Sequence, residues 1–140
     1  MWNNNLELNC VKTNSAGVIT LLNKDYEIIE SHRDKEGREL TLVVKNDQNK
    51  LIISNSYLPN DHKLSIPVFE NIYLTLLDLQ HRFPEYLTIA AGNFNVCMNN
   101  TDSINRNKSK SEVNLAESIK SYNKITNLVD AYRVIHEKGG

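Results

Sequence analysis

Residues 51–60 read LIISNSYLPN and residues 87–96 read LTIAAGNFNV, two short apolar runs that each end in polar residues. Leu51, Ile52 and Ile53 form a run of strand length, too short for a helix. Side chains alternate between the faces of a strand, which sets Asn55 and Tyr57 on one side. Pro59 then fixes the backbone, so that Asn60 projects near the strand end. In the second run the apolar residues stop at Ala91 and give way to Gly92-Asn93-Phe94-Asn95. There Asn93 and Asn95 share one side, and Gly92 permits close backbone approach. Polar residues at the point where a strand emerges into a loop are where α/β proteins tend to place their sites.

Upstream, Val18, Ile19, Leu21 and Leu22 predict a buried strand closed by a turn over 23–25, and 26–31 a second, more polar strand. Glu36-Gly37 supplies the next turn. Leu40, Leu42 and Val44 alternate with Thr41 and Val43, and the polar segment 46–50 separates them from Leu51. Four strands in about 40 residues imply an antiparallel meander. Residues 1–14, rich in Asn, read as a frayed edge strand or loop, leaving a domain over 15–140. Between the two quoted runs, Ser65 is a plausible N-cap with Pro67 in the first turn. Phe69, Ile72, Tyr73, Leu76 and Leu79 follow at helical spacing until Pro84. Beyond the second run, 99–110 is a polar loop carrying Arg106, Lys108 and Lys110. Ser111 can cap a helix that buries Leu115, Ala116, Ile119 and Tyr122 and stops at Asn127, and Asp130 can cap a last short helix. A meander followed by helix, strand and helix points to an α/β sandwich, since a doubly wound sheet alternates from the start.

The chain has 140 residues, 40% apolar and 24% charged, which suits one globular domain and argues against disorder or coiled coil. Sixteen Lys and Arg against seventeen Asp and Glu leave a net charge of −1, so any nucleic-acid contact must be local. Cys10 and Cys97 show no metal-binding spacing and read as reduced thiols of an intracellular protein, nuclear or cytoplasmic. No apolar run reaches the roughly 18 residues a membrane span needs, so no membrane partner is expected. His32, His62, His81 and His136 lack ligand spacing.

The ordered set LIISNSYLPN, helix, LTIAAGNFNV, helix, LVDAYRVIH resembles the endonuclease/exonuclease/phosphatase family. It is most similar to the apurinic-type endonuclease domains of non-LTR (LINE-type) retrotransposons, over a stretch from about Ser15, where SAGVITLL resembles a Gly-Val strand of the family, to His136. The resemblance implies a two-sheet α/β sandwich flanked by helices and incomplete at both ends, acting on DNA as a Mg²⁺-dependent endonuclease with no small-molecule cofactor. It implies that Tyr57 and Asn60 contact the reacting phosphate, and that Asn95 orients the attacking water and contacts metal or phosphate. Asn93 stands where the family has the aspartate of a GDxN motif, which activates water or assists metal binding. The resemblance also lays Arg106, Lys108 and Lys110 beside bound DNA. An amide at position 93 cannot take a proton, nor can its neutral oxygen offset the charge of Mg²⁺. The family's upstream metal-binding glutamate has no counterpart in 1–14, where Glu7 is the lone acid, and Ser54 and Ser56 fall where the family packs apolar side chains. The expected product of these departures is a chain that keeps the phosphate-holding groups and hydrolyses little or nothing. The alternatives are a noncatalytic nucleic-acid or protein binding module and a phosphatase-type member of the same family.

Overall fold

Alternation and turn chemistry build two sheets, seen in a computed structural model that describes residues 5–12, 15–99 and 107–136. Strands β1 (Asn5–Lys12) and β2 (Ser15–Leu22) pair antiparallel as a two-stranded sheet. Strands β3 (Glu27–Arg33), β4 (Glu39–Lys45), β5 (Lys50–Tyr57) and β6 (Leu87–Asn93) form a second sheet in that order. The first three are an antiparallel meander, and β6 lies parallel to β5. A parallel neighbour needs a crossover, which α1 (His62–Arg82) supplies. Helices α2 (Lys110–Thr126) and α3 (Ala131–His136) follow β6.

Strand β4 is buried from Glu39 to Val44, because both faces of its sheet are covered. On one face Leu40, Leu42 and Val44 pack with Val18 and Leu22 of β2. On the other, Val43 and Ile52 meet Phe69, Ile72, Leu76 and Leu79 of α1 and Leu115 and Ile119 of α2. Each such side chain contributes about 1.5–3 kcal/mol when fully buried. The turn over 46–49 closes β4 onto β5, with Asn46 Oδ1 accepting from the backbone N–H groups of Gln48 and Asn49.

Several expectations need correction. Strand β2 does not belong to the meander: it pairs with β1, and the turn at 23–26, closed by Tyr26 N–H donating to the Asn23 carbonyl, passes the chain from one sheet to the other. Nor is it buried throughout, for Ile19 and Leu21 are 55% and 54% exposed while Val18 and Leu22 are buried. The segment over 1–14, read as a frayed edge strand or loop, takes the strand alternative over residues 5–12, where β1 pairs with β2. Helix α1 starts three residues before Ser65. Asp61 caps it by accepting from Lys63 N–H, and Ser65 is a buried helical residue whose hydroxyl donates to the Pro59 and Asp61 carbonyls. Helix α2 is capped by Ser109, whose hydroxyl accepts from Glu112 N–H, and Lys110 and Ser111 lie in its first turn. Asn127, in left-handed conformation at φ 58°, closes α2, and Asp130 accepts from Arg133 N–H at the start of α3.

Ser54 and Ser56 are buried, and their hydroxyls are paired. Thr41 Oγ1 lies 3.1 Å from Ser54 Oγ, Ser54 Oγ lies 3.4 Å from Ser56 Oγ, and Thr41 also donates to Glu39 Oε1 at 2.9 Å. This ladder satisfies polar groups that unpaired would each cost about 1–3 kcal/mol. Burial pushes the Glu39 carboxyl above its usual range, against the opposing hydrogen bond from Thr41.

Candidate functional site

Parallel pairing of β5 with β6 brings the two quoted runs together end to end. Ser56 is the register partner of Gly92, and Tyr57 that of Asn93. The strands approach so closely there that a side chain at Gly92 would meet the Ser56 carbonyl. Past the strand ends, Leu58 N–H donates to the Asn93 carbonyl at 2.9 Å, and the Asn95 amide donates back to the Leu58 carbonyl at 2.7 Å. Asn93 Oδ1 accepts from Asn95 N–H at 2.9 Å, a local turn that holds Asn95 at φ 49°, a left-handed conformation asparagine tolerates. His62, at the start of α1, adds a 2.8 Å hydrogen bond from its Nε2 to the Asn95 carbonyl.

Each amide therefore has one half committed to the loop and one half open. Among the described residues, Asn93 Nδ2 and Asn95 Oδ1 make no hydrogen bond, nor do the Asn60 side chain and the Tyr57 hydroxyl. Asn60 and Asn93 are exposed, and Tyr57 and Asn95 are half-buried. Asn93 Nδ2, Asn60 Nδ2 and the Tyr57 hydroxyl are open donors on neutral side chains, suited to hold an anion, while Asn95 Oδ1 is an open acceptor.

A groove of about 1140 Å³ runs from Asn60, His62, Asn93 and Asn95 along β6 to α2 and α3. Tyr57 does not line it. Ile89, Val96, Met98 and Leu128 give it apolar walls, and Tyr73 and Asn123 lie deeper in it. The Tyr73 hydroxyl donates to Asn123 Oδ1 at 2.6 Å, and burial pushes it up to about 12, so it remains a neutral donor.

Of the three cations expected beside nucleic acid, Arg106 lies outside the described residues. Lys108 is half-buried and donates to the Cys97 carbonyl at 2.7 Å, while Glu112, buried in α2, accepts from Cys97 N–H at 3.2 Å. The two side chains grip the backbone of Cys97 from both sides, in the loop that follows Asn95. Lys110 is exposed in the first turn of α2. Sequence reasoning passed over Arg38 and set His62 aside for want of ligand spacing. Their only signal is position, since His62 follows the LPN turn by two residues and Arg38 follows Gly37 in a turn whose neighbour across the sheet is known only once the register is.

Among the described residues no group of three or more His, Cys, Asp or Glu side chains is placed to hold a metal ion. At Asn93 and Asn95 the donors are neutral amide oxygens, one already accepting a backbone N–H. Mg²⁺ binds through carboxylates and phosphates, so this pair does not fit it. No helix among the described residues is long and apolar enough to cross a membrane. No protein-family model matches the chain.

Proposed function

We propose that this chain is an endonuclease/exonuclease/phosphatase-like domain of retrotransposon type that binds the phosphodiester backbone of DNA at the tips of β5 and β6 and cleaves it little or not at all. The observation that carries the reading is the register pairing of Tyr57 with Asn93, which brings two motifs 36 residues apart in the chain to one end of the sheet. The hairpin on one face of the main sheet and the helices on the other support a sandwich in which the second sheet has two strands. The open donors of Tyr57, Asn60 and Asn93 suit phosphate oxygens, whose charge strengthens each bond.

The chemistry of hydrolysis asks for more. Water must lose a proton to a base as it attacks phosphorus, and the four candidate side chains are a phenol and three amides. Asn93 Oδ1, where a base would sit, is turned to the Asn95 N–H. These four side chains thus hold and orient without moving a proton.

The test pairs binding with cleavage. Fluorescence anisotropy with a labelled duplex should show binding that weakens with salt, and Tyr57→Ala should weaken it roughly tenfold, the loss of about one hydrogen bond to a charged group. Incubation with supercoiled and abasic DNA in Mg²⁺ should leave both intact. Robust nicking abolished by Tyr57→Ala refutes the noncleaving part, and absence of any DNA binding refutes the whole.

A further inference from the structure

Resting on that reading, we infer that Arg38 is the phosphate-binding cation of the site, placed beside Tyr57 to grip DNA. The backbone of Arg38 is fixed from two sides. Asp34 Oδ1 accepts from its N–H at 2.8 Å and from Glu39 N–H at 2.9 Å, and its carbonyl accepts from Tyr57 N–H at 2.8 Å. The side chain lies along the tyrosine, its guanidinium carbon 5.6 Å from the ring centroid, a cation–π distance. Nη1 makes one long bond, 3.4 Å, to the Tyr57 carbonyl. The nearest carboxylate is that of Glu36 at 3.7 Å, on a side chain that is 72% exposed. The Arg38 side chain is itself 23% exposed, and a pair at that distance with one exposed partner is weak and screened by salt. Most of the five guanidinium donors of Arg38 therefore stay available, on a planar group whose fork matches phosphate.

Several other described cations are committed elsewhere, though Lys24, Lys35, Lys63, Lys110 and Lys124 are not. Arg82 is held by Glu30 and Asp78, Lys50 by Glu85, Arg133 by Asp130, Arg33 by Glu7, and Lys108 by the Cys97 carbonyl. The open groups at the strand tips are neutral, so affinity for a polyanion has to come from a charge close by. Arg38 is in contact with Tyr57 itself, whereas the 106–110 segment follows β6 and leads into α2.

The experiment measures duplex-DNA binding by the full chain across a range of salt concentrations, with thermal melts as a check on folding. Arg38→Ala should weaken binding about tenfold and lower the slope of log K against log salt by about one. Arg38→Lys should restore the slope but only part of the affinity, because the charge returns without the fork or the stacking. Lys110→Ala should leave both as they are. Should Arg38→Ala melt early, Arg38→Gln gives the same comparison with the side-chain length kept. An unchanged slope in a folded Arg38→Ala or Arg38→Gln variant, or a drop in slope with Lys110→Ala instead, overturns the assignment while leaving the DNA-binding reading intact. A wild-type chain that binds no DNA overturns both.

Discussion

A β-carbon at Gly92 would stand 1.9 Å from the Ser56 carbonyl oxygen, and the residue holds φ at +144°. Both facts follow from the closeness of β5 and β6 at the point where the candidate site is built. Gly92→Ala should cost about 2 kcal/mol or more, because the strained backbone alone is worth about 1–3 kcal/mol and the methyl group also meets main chain that cannot swing aside. A urea melt reads this directly, and an unchanged midpoint would mean that the two strands do not approach in this register. The same glycine was legible in the sequence as a place of close approach. The partner it approaches was not, because the pairing of two runs 36 residues apart is decided by how α1 packs. Asn93 and Asn95 illustrate the remaining limit. Their position at a strand end is written in the sequence, but which half of each amide the loop occupies depends on the Asn95 backbone turning left-handed.

Element boundaries depend on single caps, and there the structure shifts both long helices from where periodicity puts their starts. The apolar stripe of α1 begins at Phe69, so a cap near Ser65 satisfies the pattern, yet Asp61 begins the helix and a further polar turn precedes the stripe. In α2 the sequence Ser109-x-x-Glu112 has the form of a capping box, but Glu112 turns its carboxylate to Cys97 N–H and only the serine half is used. Ser109→Ala should therefore destabilise by about 1 kcal/mol, read as a lowered thermal midpoint with α2 still formed. A second link joins elements across the fold. Arg82 at the end of α1 reaches Glu30 of β3 with two hydrogen bonds, and with help from His32 these hold the Glu30 carboxyl down to about 2. A carboxyl depressed in the folded state adds stability above its ordinary value of 4.5, which is lost as pH falls through that value toward 2. Stability measured by urea melts should decline over this window, and Arg82→Gln should flatten that part of the profile. A profile unaltered by Arg82→Gln would show that the pair contributes nothing to the link between α1 and β3.

At the scale of the whole molecule, two apolar clusters share one sheet. The helix-side cluster was legible because Phe69, Ile72, Tyr73, Leu76 and Leu79 keep a helical period and all are buried. The hairpin-side cluster was misread, since β2 offers an apolar run that also suits the centre of a sheet. Only the outward exposure of Ile19 and Leu21 shows that its outer face is uncovered. The consequence is mechanical. Strands β4 and β5 contribute side chains to both clusters, Leu42 to one and Val43 to the other, so neither layer can loosen without disturbing the strand that carries its neighbour. Leu42→Ala on the hairpin side and Leu76→Ala on the α1 side should each cost about 2–5 kcal/mol, a large part of the roughly 5–15 kcal/mol that holds a domain of this size. If the shared strands couple the layers, each variant melts in a single transition, with far-ultraviolet circular dichroism and the tyrosine signal of Tyr73 and Tyr122 falling together. Separate layers would behave otherwise. Leu42→Ala would then lose strand signal at low temperature while the tyrosines of the helix-side cluster, packed at ring distances of 4.3 to 5.7 Å with Phe69, kept the wild-type midpoint.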